Sequence, residues 1–64
     1  MFYAKIDNGE DFTFRFYTKA DRDQFVAEHT GGRAVSAKDA KFVPGAHSCV
    51  TYSAKNAKLG WVRL

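Results

Sequence analysis

The sequence predicts a small α+β fold: an antiparallel sheet opened by an N-terminal β-hairpin, one main helix packed on one face, and further strands toward the C-terminus. Three observations carry this. Phe2, Ala4 and Ile6 alternate with polar positions, as do Phe12, Phe14 and Phe16, which is the two-residue period of half-buried strands. A capped run with helical spacing follows from Thr18 and is stopped by Gly31-Gly32. The chain has 64 residues, too few to support two cores, so a single domain over residues 1–64 is expected.

The first two strands must pair so that their apolar sides share a face. A two-residue turn at Asn8-Gly9 would set Lys5 opposite Phe12 and put charge against the core. A three-residue loop over residues 8–10 instead pairs Ile6 with Phe12, Ala4 with Phe14 and Phe2 with Phe16. Thr18-Lys-Ala-Asp21 then approximates a capping box, with the Thr hydroxyl taking a first-turn N–H and Asp21 at the positive end of the dipole. Arg22, Phe25, Val26 and His29 fall on one face, predicting a helix over about residues 19 to 30. Its stop is glycine because glycine takes the left-handed cap conformation without steric cost.

Beyond Gly32, Arg33-Ala-Val-Ser36 reads as a short strand, and Ser36-Ala-Lys-Asp39 as a second capping box opening a one- or two-turn helix that Pro44-Gly45 ends. Cys49-Val-Thr-Tyr-Ser53 and Trp61-Val-Arg-Leu64 have strand propensity. They are joined by a hairpin loop at Lys55-Asn56-Ala57 or by a helical turn closed by Gly60; the hairpin is the preferred reading. Val35-Ser-Ala-Lys-Asp-Ala-Lys-Phe42 recurs as Tyr52-Ser-Ala-Lys-Asn-Ala-Lys-Leu59. Two copies fall short of the three that a solenoid needs, although two helical copies would gather four lysines. The expected core is Phe2, Ile6, Phe12, Phe14, Phe16, Phe25, Val26, Val35, Val50 and Trp61.

Composition narrows the function. A single Cys49 makes no internal disulfide, whereas a secreted domain this small usually needs several, so a reducing, cytoplasmic setting is expected. The N-terminus lacks a basic stretch followed by an apolar one, and no run approaches the roughly 20 apolar residues of a membrane span. The net charge of +3 hides a split. Residues 1–32 carry Lys5, Arg15, Lys19 and Arg22 against Asp7, Glu10, Asp11, Asp21, Asp23 and Glu28; residues 33–64 carry Arg33, Lys38, Lys41, Lys55, Lys58 and Arg63 against Asp39 alone. Such asymmetry suits a steered binder of an acidic partner, while the plainer reading is a lysine-rich surface that keeps the chain soluble.

Chemistry-bearing clusters are weak. His47-Ser-Cys49 sets an imidazole near a thiol, but no orienting Asn or Asp lies near, and a Cys49 packed as a small apolar residue is the plainer account. His29, His47 and Cys49 have no zinc-ligand spacing, and Gly31-Gly32 follows a helix where a phosphate loop would precede one. No cofactor and no catalysis are expected. On the outward face of the hairpin, Tyr3, Arg15 and Tyr17 place rings beside a cation, as a single-strand stacking platform does; the alternative is that this face packs on C-terminal segments.

The phrase Phe14-Arg-Phe-Tyr-Thr-Lys-Ala-Asp-Arg-Asp-Gln-Phe-Val26, followed by Ala34-Val-Ser-Ala-Lys-Asp-Ala40, resembles small accessory proteins of phages and prophages. The resemblance spans less than half of the chain. It implies a host-directed factor of the class that includes anti-CRISPR proteins and other inhibitors of host enzymes or defence systems, and it transfers no functional residue. The combined expectation is a non-enzymatic protein of the host cytoplasm that inhibits a host protein or nucleoprotein complex through a basic surface, with direct nucleic-acid binding as the alternative. Its contact residues would be Tyr3, Arg15, Tyr17, Lys38, Lys41, Lys55, Lys58 and Arg63.

Overall fold

In the computed structural model, which describes residues 1–7, 11–56 and 60–64 and only the backbone of 55 and 56, the chain forms a five-stranded mixed sheet with two helices. The elements run β1 (Phe2–Ile6), β2 (Thr13–Phe16), α1 (Lys19–Glu28), β3 (Gly32–Val35), α2 (Ala37–Ala40), β4 (Cys49–Asn56) and β5 (Gly60–Arg63). The strand order is β3-β1-β2-β4-β5. The α+β class is therefore as the sequence predicts.

β1 and β2 pair antiparallel with Phe2 opposite Phe16, Tyr3 opposite Arg15 and Ala4 opposite Phe14. This is the register that keeps the two apolar sets on one face; the connecting loop expected over residues 8–10 lies outside the described residues. β3 adds antiparallel to β1, and β5 antiparallel to β4, with Asn56 opposite Gly60. The preferred hairpin between β4 and β5 is thus present, but Lys55 and Asn56, expected in its loop, continue β4, and residues 57–59 lie outside the described residues. One pairing departs from the expected antiparallel sheet: β4 lies parallel to β2, with Thr13 beside Cys49 and Arg15 beside Thr51. The reason is topological, since β3 returns on the far side of β1 and the chain must cross back over the sheet to reach β2.

Helix α1 starts where its cap predicts, the Asp21 N–H donating to Thr18 Oγ1 at 3.1 Å. It ends at Glu28, two residues early, because His29 turns to an extended backbone and Gly31 takes φ 81°. The helix packs on the face carrying Ala4, Phe14 and Phe16, where Ala4, Phe16 and Phe25 are buried at 2% exposure or less. Phe25 is the hub. Its ring meets Phe14 at 4.8 Å, Phe16 at 5.1 Å, Trp61 at 5.5 Å and Tyr52 at 6.1 Å between centroids. Ala4, with no bulk beyond Cβ, lets the helix come down onto the centre of the sheet.

Two expected core residues lie elsewhere. Phe12 precedes the first ladder residue and is 36% exposed, against Phe14 and His47 at the sheet's end. Val35 sits opposite Tyr3, on the face away from α1. That second face is covered by α2 and the segment after it. Thr13, 4% exposed, donates its hydroxyl to the Ala40 carbonyl at 3.1 Å, and α2 is capped by Ser36 Oγ accepting the Asp39 N–H at 3.2 Å. The helix ends at Lys41, in the left-handed region at φ 51°, rather than at Pro44-Gly45. The two copies of the Ala/Lys phrase diverge, the first holding α2 and the second running as strand through Asn56. The four lysines are therefore not gathered by paired helices.

Candidate binding cleft

The face away from α1 carries the candidate site, and the parallel pairing of β2 with β4 builds it. In that register Arg15 and Thr51 stand side by side, and the Arg15 Nε–H donates to Thr51 Oγ1 at 3.1 Å. The Arg15 guanidinium lies 4.3 Å from the centre of the Phe42 ring, a cation–π contact that fixes its plane. Phe42 gets there through Lys41, whose φ of 51° is the only positive value at a non-glycine among the described residues. Left-handed backbone costs such a residue of the order of 1 kcal/mol. The turn it makes sends the chain back across β2.

Beside Arg15 opens a cleft of about 480 Å³, lined by Arg15, Phe42, residues 44–47, Cys49, Val50, Thr51, Arg63 and Leu64. No described Asp or Glu lines it. Arg15 and Arg63 have no carboxylate partner among the described residues, whereas Arg22 pairs with Asp23 at 2.7 Å and Arg33 with Asp7 at 3.0 Å. Lys38 and Lys41 are exposed on α2 and its cap, on the same side of the sheet as Arg15. The acidic side chains of α1, Asp21, Asp23 and Glu28, lie on the other.

Arg15 stands in the cleft with Lys38 and Lys41 on its side of the sheet, whereas Arg63, at the edge of the cleft, pairs opposite Tyr52 and so shares the α1 face with Trp61. Tyr3 is half-buried with its ring 5.9 Å from Phe42, so its outer face is engaged by the C-terminal segment and not laid open beside Arg15. Tyr17, just past β2, is 56% exposed. Lys55 lies on β4 with its side chain outside the description, and Lys58 lies outside the described residues. Phe42, Thr51 and Leu64 were not expected at the site. Thr51 was detectable in principle, since it shares a strand face with Cys49, but Phe42 stands in no periodic pattern.

His47 and Cys49 both line the cleft, yet no hydrogen bond joins them among the described residues. The Cys49 sulfur accepts the Val43 N–H at 3.2 Å, and the His47 ring meets Phe12 at 5.9 Å. His29 is on the opposite face, stacked 4.0 Å from Phe25 with Nδ1 donating to the Phe25 carbonyl at 2.8 Å. Among the described residues no three His, Cys, Asp or Glu side chains gather as metal ligands, and no helix is long and apolar enough to cross a membrane.

A smaller hollow of about 150 Å³ lies on the α1 side between Gln24, Glu28, Ala54, Gly60 and Trp61. The Trp61 Nε1–H donates to Glu28 Oε1 at 3.1 Å and the Gln24 amide to Oε2 at 2.7 Å. These bonds, Gln24 first, hold the Glu28 carboxyl below its ordinary value. They tie the end of α1 to β5. Compared with protein-family models, curated proteins and solved structures, the chain matches none of them.

Proposed function

We propose that this chain is a non-enzymatic, phage-type protein of the host cytoplasm. It inhibits a host protein or nucleoprotein complex, in the manner of an anti-CRISPR, by laying its basic face on an acidic or nucleic-acid-binding surface. The observation that carries this reading is the Arg15 guanidinium, held by Thr51 and Phe42 at a cleft whose described wall holds no Asp or Glu. Lys38 and Lys41 extend the positive field beyond it, and such a field steers an acidic partner into contact. The host-directed part rests on the resemblance of Phe14–Val26 and Ala34–Ala40 to phage accessory proteins.

The test is capture from host lysate with an N-terminally tagged chain beside its Arg15→Gln variant. One stoichiometric partner held by the first and lost by the second is the expected result; no partner with either sinks the proposal. The second reading, direct nucleic-acid binding, draws on the exposed Tyr17 ring and the α2 lysines. It requires a gel shift at low salt that fades steeply as salt is added, because counterions are released on binding.

A further inference from the structure

We propose that the cleft beside Arg15 seats an acidic peptide segment of a protein partner, one carboxylate being held by the Arg15 guanidinium while an apolar neighbour packs on Pro44 and Leu64. This rests on the binding reading above and narrows the partner to protein. Charge is the first argument: the Arg15 guanidinium stands in the cleft, and the described wall holds no Asp or Glu to neutralise it.

Pre-organisation is the second. Thr51 engages the Arg15 Nε–H and Phe42 lies under the guanidinium, which leaves the two Nη groups with no partner among the described residues. A guanidinium fixed in its plane presents a fork of donors that matches a carboxylate, and it loses little rotamer freedom on binding. The left-handed Lys41 that places Phe42 is the backbone strain expected where a contact surface is being shaped.

The third argument separates peptide from nucleic acid. Single-stranded nucleic acid is gripped by stacking bases on free rings, but Phe42 already carries Arg15 on its face and has Tyr3 against it. What the rim offers is aliphatic: Leu64 is 52% exposed, and Val43, next to Pro44, is 57% exposed. Apolar contact around a desolvated charge pair is how protein interfaces are built. The volume of about 480 Å³ is also within the range of sites that enclose a ligand of a few side chains.

The experiment is a heteronuclear NMR titration of the whole ¹⁵N-labelled chain at low salt, with a short peptide of alternating Glu and Leu as one probe and a single-stranded oligonucleotide as the other. The peptide should move the backbone amides of Arg15, Thr51, Arg63 and Leu64. Arg15→Gln, shown folded by its own spectrum, should weaken the peptide by about tenfold or more, while Lys19→Glu, at the start of α1, should change affinity by less than about threefold. Equal binding by Arg15→Gln, or shifts confined to residues outside the cleft, would overturn the inference. So would an oligonucleotide that moves these amides while the peptide leaves them still, an outcome that keeps the basic-face reading and changes its partner. Peptide binding at the cleft with no partner captured from lysate would support the seat and sink the inhibitor reading alone.

Discussion

Phe25 holds more of the fold than any other side chain, because it is where the helix, β2, β4 and β5 meet as rings. Truncating a buried Phe costs about 3–5 kcal/mol, and a chain of this length has a total stability of roughly 3–10 kcal/mol at ~0.05–0.15 kcal/mol per residue. Phe25→Ala is therefore expected to be largely unfolded at room temperature, read by circular dichroism; a cooperative melt close to that of the parent would refute the hub assignment. Glu28 sets a pH dependence of the opposite origin. Its hydrogen bonds to Gln24 and Trp61 favour the ionised form, so the folded state holds this proton more weakly than the unfolded chain does. The stabilisation is complete above the ordinary glutamate range and disappears as pH falls through the depressed value. Denaturant midpoints followed by Trp61 fluorescence between about pH 7 and about pH 3 should drop less in Glu28→Gln than in the parent.

At the scale of elements, the turn between α1 and β3 depends on close backbone approach. A Cβ at Gly32 would stand 2.9 Å from the His29 carbonyl oxygen and 3.2 Å from that of Val26, and backbone atoms have little room to give. Gly32→Ala should cost about 1–3 kcal/mol, as overpacking does. Gly45→Ala, at φ +84° but with nothing within 4 Å of the added carbon, should cost only the backbone preference of about 1 kcal/mol. Urea melts of the two variants decide it, and a larger loss at Gly45 would contradict the packing argument. The hairpin, its register and the α1 cap were legible because Phe2 to Phe16 and Thr18 to Asp21 carry their structural instructions locally. The partner of β4 was not. Val50 and Tyr52 alternate with Cys49 and Thr51, a pattern apolar enough for either face, and it says nothing about which strand lies alongside or in which direction. The cleft was half legible: Arg15 was named as a contact residue, but its meeting with Thr51 and Phe42 depends on the parallel register and on the turn at Lys41, both set by residues far apart in the chain.

Over the whole molecule, the charge split of the sequence is carried only in part to the two sides of the sheet: Lys38 and Lys41 lie away from α1, while Arg63, opposite Tyr52, shares its side. Arg15, from the acidic half, points away from α1 by alternation with Phe14 and Phe16 and is held there by Thr51 of β4, so the halves cannot be separated into two working parts. The peptide 1–32 lacks Tyr52 and Trp61, which pack on Phe25, and should show no cooperative thermal transition by circular dichroism; a sharp melt would show that the N-terminal half is a unit of its own. The same pairing governs the order of assembly. The hairpin forms between neighbours, whereas Arg15 and Thr51 are 36 positions apart, and closing a loop of that length costs about 3 kcal/mol of chain entropy before any contact repays it. During synthesis β2 stays an open edge until β4 has left the ribosome. The cleft, walled by β2, β4 and the end of β5, is the last feature to come into being, so a nascent chain has a helix and a hairpin long before it has anything with which to hold a partner.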